Sequence, residues 1–256
     1  MAFVTVGDAR LEYRTIPAAA ADKPTLVFLH EGLGSVALWR DFPDKLARRL
    51  GAPALIYSRR GYGKSSALTG PRQPSFMHEE ALDVLPSVLD QLRIERAILV
   101  GHSDGASIAL IHAANHPDRI AGMVLMAPHV IVEPVSVQSI AKITETFETT
   151  DLRTRLARYH DHVDDAFLGW SRIWLSPQFR SWSLGEECTK LNSPTLLIQG
   201  DADEYGTLAQ LDAIESAATG AAIQRVVLSG CGHSPWRDRE DMVLDAICGF
   251  VGRVTP

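Results

Sequence analysis

Ser103 stands between two glycines in "GHSDGA", residues 101–106, and it is the first place in this chain where residue types and spacing suggest chemistry. An apolar run, "AILVG" (97–101), precedes it, and a helix-like stretch, "DGASIALIHAAN" (104–115), follows it. A strand that turns directly into a helix here lifts the Ser103 side chain above the edge of a sheet. It also sets the Asp104 N–H at a helix N-terminus, where amides lack intrahelical acceptors and favour negative charge. Exposure to substrate and a donor for a developing oxyanion are what a nucleophilic serine needs. A hydroxyl alone is a weak nucleophile, so an imidazole must take its proton and an acid must orient that imidazole. The chain offers nine histidines.

The elements that must position such groups are legible as short apolar runs. "TLVFLH" (25–30), "ALIYS" (54–58), "AILVG" (97–101), "MVLMAP" (123–128), "TLLIQG" (195–200) and "RVVLSG" (225–230) are continuous rather than alternating. That is the pattern of strands covered on both faces, as in a parallel sheet. "FVTVGDARLEYRTIP" alternates around Gly7-Asp8 and predicts an N-terminal hairpin. Helical stripes lie between the runs: Trp39, Phe42, Leu46 and Leu50; Leu82 to Leu92, with Pro86 kinking it; 104–115, ended by Pro117; Leu208 to Ala218, closed by Gly220; and Val243, Ile247 and Phe250. Strands alternating with helices imply right-handed βαβ crossovers. Residues 131–192 break the rhythm. They hold no convincing strand, many aromatics, and are far too long for an ordinary loop. They read as a helical cap (131–192) inserted into a core formed by 1–130 and 193–256. "AAAAD" at 18–22 reads as a loop.

"GHSDG" resembles the G-x-S-x-G nucleophile elbow of the α/β-hydrolase superfamily, in its serine-hydrolase branch with a helical cap. The resemblance extends from about Phe3 to Val251 through further motifs. It implies an α/β fold with a mostly parallel eight-stranded sheet flanked by helices. "SGCGHSPW" follows the last strand, where the family keeps its catalytic histidine, which implies His233 as the base. "IQGDADEY" follows the preceding strand, and the family's G-x-x-D maps Asp203 as the acid. Asp201 and Glu133 are the competing carboxylates. "LHEGLGS" (29–35) is similar to the family's H-G-x-x-G oxyanion loop, with Glu31 in place of the usual first glycine. The implied oxyanion donors are the N–H groups of Asp104 and Gly32, with that of Leu33 as the alternative. The Asp104 side chain reads as a helix N-terminal acid. "YSRRGYGKSS" (57–66) is similar to a segment that is mainly structural in relatives, with Ser58 where Asp is common. Arg59 and Arg60 read there as ion-paired scaffold. His30 and His129 read as packing residues near the pocket, and His102 has no assigned role.

Composition narrows the function. Net charge is −6 and there is no basic cluster, which argues against nucleic acid and against anionic membranes as partners. There is no apolar run of transmembrane length, and "MAFVTVGDAR" does not read as a signal peptide. The three cysteines, Cys188, Cys231 and Cys248, form no CxxC pair. A reducing cytoplasm is therefore the expected compartment. The partner expected is a small-molecule acyl substrate, with no metal and no organic cofactor. The reaction implied is hydrolysis of a small carboxylic ester, thioester or lactone through an acyl-enzyme. The alternatives are C–C bond hydrolysis of a ring-cleavage product, or a ligand receptor on the same fold. Trp170, Trp174, Leu33 and His129 are the candidate substrate contacts, the cap aromatics suggesting an apolar or aromatic substrate portion.

Overall fold

In the computed structural model, which describes residues 1–19 and 23–255, the chain opens as a hairpin. Strands β1 (Ala2–Val6) and β2 (Ala9–Ile16) pair antiparallel across Gly7-Asp8. Gly7 has φ +58°, the left-handed conformation that a two-residue hairpin turn favours. Six strands follow: β3 (Thr25–Leu29), β4 (Ala54–Tyr57), β5 (Ala97–His102), β6 (Ile120–Met126), β7 (Thr195–Gly200) and β8 (Ile223–Leu228). They complete an eight-stranded sheet of order β1-β2-β4-β3-β5-β6-β7-β8. β2 meets β4 antiparallel, and every pairing from β4 to β8 is parallel. The apolar runs lie on these strands, except that β6 begins earlier, at Ile120, and β8 at Ile223. Residues 20–22 of the "AAAAD" stretch lie outside the described residues.

The runs are continuous because both faces of the sheet are covered. Neighbouring side chains of β3 and β5 alternate between two cores: Val27, Leu29 and Leu99 join one, and Leu26, Phe28, Ile98 and Val100 join the other. In chain order the helices are α1 (Phe42–Leu50), α2 (Phe76–Glu79), α3 (Leu85–Gln91), α4 (Asp104–Asn115), α5 (Pro134–Thr149), α6 (Leu152–Leu156), α7 (Val163–Leu175), α8 (Gly185–Thr189), α9 (Ala209–Ala217), α10 (Pro235–Asp238) and α11 (Glu240–Val254). α1, α10 and α11 supply Phe42, Leu46, Trp236, Val243 and Ile247 to one core. α3, α4 and α9 cover the other face, together with residues from α5, α7 and α8. Among the described residues, no helix is long and apolar enough to cross a membrane.

One stretch departs from the expected pattern. The Leu82–Leu92 stripe is not one kinked α-helix: α2 passes into a π-helical turn at Glu80–Val84, and α3 resumes at Leu85 with Pro86 in its first turn. A proline ring clashes with the carbonyl four residues back, and a widened turn ahead of it relieves that clash. Between β6 and β7 the chain forms α5 to α8, with one isolated bridge between Ile131 and Ser183. Much of its aromatic content is internal packing. Phe147 stacks on Phe167 at 3.9 Å, and Phe179 on Trp182 at 5.0 Å.

The β5–α4 turn depends on two missing side chains. A Cβ at Gly101 would lie 2.5 Å from Ala106 Cα, and one at Gly105 would overlap the carbonyl oxygen of Leu29 at the end of β3. α4 can therefore press against both strands only with glycine at these places. Overpacking of this kind costs ~1–3 kcal/mol. Gly105→Ala is expected to lower the urea-unfolding free energy by at least ~2 kcal/mol. Gly252→Ala is the control: it sits in α11 with nothing within 4 Å of the new methyl, and should raise stability by ~0.5–1 kcal/mol.

Candidate active site

Ser103 occupies the turn between β5 and α4 at φ 53° and ψ −121°. A non-glycine residue in such a conformation costs ~1–3 kcal/mol and persists only where its surroundings hold it. Here its N–H donates to Met126 O at 2.9 Å, and its carbonyl accepts from Ala106 N (2.9 Å) and Ser107 N (3.1 Å). The side chain opens into a cavity of about 370 Å³, yet Ser103 is only 6% exposed.

Three residues far apart in the chain meet there, each just beyond the C-terminal end of a parallel strand. His233, after β8, has Nε2 2.9 Å from Ser103 Oγ. Its Nδ1 lies 2.8 and 2.9 Å from the two oxygens of Asp203, after β7. With Nδ1–H donating to the carboxylate, Nε2 is left to accept the Ser103 hydroxyl proton. Asp203 is itself anchored. Oδ1 accepts from Tyr205 N (2.8 Å) and Gly206 N (3.2 Å), and Oδ2 accepts from Gln199 Nε2 (3.2 Å). Burial pushes the Asp203 carboxyl up, but the His233 hydrogen bond and charge and the Tyr205 amide outweigh it and hold it below its usual range. Burial likewise disfavours the charged His233 ring, but Asp203, with Glu204 and Glu31 farther off, holds it above the ordinary imidazole value.

The competing acids are engaged elsewhere. Asp201 Oδ1 accepts from Gly230 N at 2.7 Å. Glu133 accepts from Thr207 N (2.9 Å), Thr207 Oγ1 (2.6 Å) and Gln210 Nε2 (2.6 Å), which fixes the turn leading into α9. Arg60 pairs with Asp8 at 2.8 Å, as scaffold. Arg59 departs from the expected ion pair. Buried, it donates to the carbonyls of His30 (3.2 Å) and Glu31 (2.9 Å) and lies 4.8 Å over the Tyr62 ring. His30 accepts from Arg59 N at 3.1 Å within this scaffold.

The opposite wall comes from the Glu31–Leu33 loop and the helices between β6 and β7. Gly32, Leu33, Asp104, His129, Trp170 and Trp174 all line the Ser103 cavity. Among the described residues, neither Gly32 N–H nor Asp104 N–H donates to another protein group. Trp170 packs directly on Gly32, where any Cβ would overlap the indole. His160 braces this loop: Nε2 donates to Leu33 O and Nδ1 accepts from Gly63 N, both at 3.0 Å. His129 is buried with Nδ1 unpaired, and burial pushes it down to about 3, so it is neutral.

Three side chains make contacts that the sequence did not indicate. His102, in the variable elbow position, donates from Nε2 to the backbone carbonyl of His233 at 2.6 Å. Its Nδ1 lies 3.3 Å from Trp236 Nε1 and 3.4 Å from Glu31. His102 therefore ties the His233 loop to the Glu31 loop. The Glu31 carboxyl is pushed up by burial, but His102 and His30 outweigh that and bring it down to about 2. Asp104, expected as a helix N-terminal acid, instead lines the cavity, with Oδ1 accepting from Trp174 Nε1 at 3.2 Å and Oδ2 unpaired. Burial raises its carboxyl, against the longer-range pull of Arg59 and Arg72. Leaving a buried polar atom unpaired costs ~1–3 kcal/mol, more when charged. A larger cavity of about 710 Å³, between residues 68–73 and α7, contains none of these groups.

Fold and sequence agree on one class. The chain belongs to the α/β hydrolase fold family, whose model matches residues 24–165. That span holds Ser103 and the Glu31–Leu33 loop, whereas Asp203 and His233 lie beyond it. The chain is 30% identical over 114 residues to a (lyso)-N-acylphosphatidylethanolamine lipase of Bos taurus, a match covering 44% of this chain and 33% of that protein. The matched stretch thus spans about a third of that relative's length. Among solved structures it is similar to the enol-lactonase from Burkholderia xenovorans, with a TM-score of 0.74 and 22% identity over 98% of this chain and 100% of that one. It is also similar to an esterase from Exiguobacterium antarcticum, with a TM-score of 0.77 and 18% identity over 98% of each chain. At these identities the structural likeness is one of fold.

The Asp203 contact makes the His233 ring a measurable quantity. Its imidazole is expected to titrate above the value of about 6.5 for an unperturbed histidine when followed by NMR. In Asp203→Asn the raising influence goes while burial remains, so the midpoint should fall below that of the unmodified protein.

Proposed function

We propose that this protein is a serine hydrolase that cleaves a small carboxylic ester, thioester or lactone through an acyl-enzyme on Ser103. The observation that carries this reading is the continuous hydrogen-bonded chain Ser103 Oγ–His233 Nε2 (2.9 Å) and His233 Nδ1–Asp203 (2.8 Å) inside a cavity. In this mechanism His233 takes the hydroxyl proton as Ser103 Oγ attacks the acyl carbonyl carbon. The carbonyl electrons move onto oxygen, and the Gly32 and Asp104 N–H groups stabilise that oxyanion. Collapse breaks the bond to the leaving group, which departs with the proton from His233. Water, activated by the same imidazole, then attacks the acyl-enzyme and releases the acid. Asp203 keeps its negative charge throughout, fixes the tautomer and stabilises the imidazolium.

Residues 131–192 act as the cap of this site. Ile140 and Ile143 of α5 and Trp170 and Trp174 of α7 form an apolar wall of the cavity, suited to an apolar acyl portion. Ring-cleavage products carry a carboxylate that needs a cationic anchor. The lining offers Arg237 alone, at 3.4 Å from Asp238, against the carboxylates of Glu31, Asp104 and Glu204. That balance favours ester-type over C–C substrates. A strained nucleophile turn with an oriented imidazole favours turnover over passive ligand reception.

A fluorophosphonate probe is expected to label Ser103, and labelling should vanish in Ser103→Ala. With p-nitrophenyl esters, Ser103→Ala or His233→Ala should each lower kcat by ~10⁴–10⁶-fold, and Asp203→Asn by ~10⁴-fold. Labelling that survives Ser103→Ala would overturn the assignment. The base must be neutral to act, and its pKa is raised in the folded protein. The acid limb of kcat/KM should therefore rise through a midpoint above about 6.5, with activity lost below it. Glu204→Gln should move that midpoint down.

A further inference from the structure

The cavity that opens on Ser103 has an unusual charge balance. Three carboxylates line it, those of Glu31, Asp104 and Glu204, against the single guanidinium of Arg237. Arg237 is exposed and already has Asp238 at 3.4 Å. His129, in the lining, adds no positive charge, because burial holds it neutral. Glu31 is ionised and 24% of its side chain is accessible. Asp104 is fully buried, and its Oδ2 has no hydrogen-bond partner, while Oδ1 takes the Trp174 indole N–H. Arg59 does not fill the gap. Its own Nη1 is unpaired too, so the two buried groups do not bond to each other. A buried carboxylate oxygen without a donor, at the wall of a cavity, is a place where a ligand donor gains most, because the cost of desolvating the acid has already been met in folding. The indoles of Trp170 and Trp174 and the ring of Tyr205 line the same space.

We propose that the acyl group accepted at Ser103 carries a protonated amine, which is seated against Asp104 Oδ2 and the carboxylate of Glu31. This rests on the reading of Ser103 as the acyl acceptor and adds its substrate class: ω-amino or α-amino acyl esters rather than simple fatty or anionic ones. Asp104 is a substrate-binding residue here, supplying a charge-assisted acceptor. Glu31 adds to the same field from the position where relatives of the fold keep a glycine. The acid beside the nucleophile thus has two separable parts, a backbone N–H that serves the oxyanion and a side chain that selects the acyl group.

The test compares p-nitrophenyl esters of graded chain length in three matched forms, ending in an ammonium, a methyl group or a carboxylate. At the best length the ammonium form should exceed the methyl form in kcat/KM by about tenfold or more, and the carboxylate form should be poorest. In Asp104→Asn the ammonium-to-methyl ratio should fall about tenfold, and in Glu31→Gln by less, since that side chain is partly solvated. A methyl form that wins at every length, or a ratio unmoved in both variants, overturns the proposal. The wild-type series and Glu31→Gln decide the matter if Asp104→Asn does not fold. If no ester is turned over, the acyl-acceptor reading fails separately. Calorimetry with alkylammonium, alkanol and alkylcarboxylate ligands of equal length then decides the cation site. Selective ammonium binding that weakens in Glu31→Gln upholds it, and equal binding of all three overturns it.

Discussion

Ser103 adopts a backbone conformation that a serine keeps only under constraint, and the rest of the site depends on that constraint. α4 is driven into the sheet by its apolar surface, with every residue from Asp104 to Ala114 buried. Close approach leaves no room for side chains at Gly101 and Gly105. The chain must therefore reverse from strand to helix within about one residue, and Ser103 is that residue. The geometry has two consequences at once. The hydroxyl projects beyond the strand ends, and the first amides of α4 face the same space without intrahelical acceptors. Hydrophobic burial at one end of the turn thus supports the chemistry at the other.

Negative charge then does two jobs at different depths. Behind His233, Asp203 is held by the amides of Tyr205 and Gly206 and by Gln199, so its carboxylate is fixed by more than the imidazole. In front, Glu31 and Glu204 contribute to the same ring from the cavity side. The imidazole therefore sits in a field that stabilises its charged form. Buried carboxylates close to one another raise the cost of ionisation. The site spreads that cost by giving each a different donor: Asp203 has amides and His233, Glu204 accepts the His233 N–H at 3.1 Å, and Glu31 lies 3.4 Å from His102. Asp104 is the exception, with one oxygen satisfied and one not.

Most of the fold was legible because it rests on local signals. Continuous apolar runs mark strands covered on both faces, and the Gly7-Asp8 turn between alternating segments marks a hairpin. The starts of β6 and β8 were missed because Ile120 and Ile223 follow a short 3-10 turn and a Ser-Ala-Ala-Thr-Gly-Ala-Ala stretch, where apolar periodicity says little. The π-helical turn before Pro86 leaves no hydrophobic trace, since widening a helix by one residue barely moves a stripe. Ser103, His233 and Asp203 stand at strand ends, where the apolar runs put them and where the resemblance to the family's motifs singled them out. His102, Glu31 and Asp104 were opaque for a different reason. Their roles lie in contacts across 70 to 134 positions, to His233, Trp236, Trp174 and each other, and a single sequence carries no record of which side chain fills which gap. Arg59 shows the same limit: its charge suggested an ion pair, whereas its surroundings offer carbonyls and a tyrosine face.

The place where the chain departs from its family's pattern is also where the cavity acquires its character. A glycine at position 31 would take one of the three acidic side chains out of the cavity wall. Glu31 instead reaches His102, and through the His102–His233 carbonyl contact it is mechanically linked to the base loop. The same carboxylate faces the cavity, so what fixes the loop also sets the potential that an incoming molecule meets. Trp170 bears on Gly32 immediately beside it, and Trp174 reaches Asp104, the residue that follows Ser103. Two indoles of one helix, α7, thus touch both loops that flank the Ser103 hydroxyl in this cavity. A change in how α7 packs would move the Gly32 backbone and the Asp104 carboxylate together, so the shape of the cavity and the alignment of these groups about Ser103 are one packing problem rather than two.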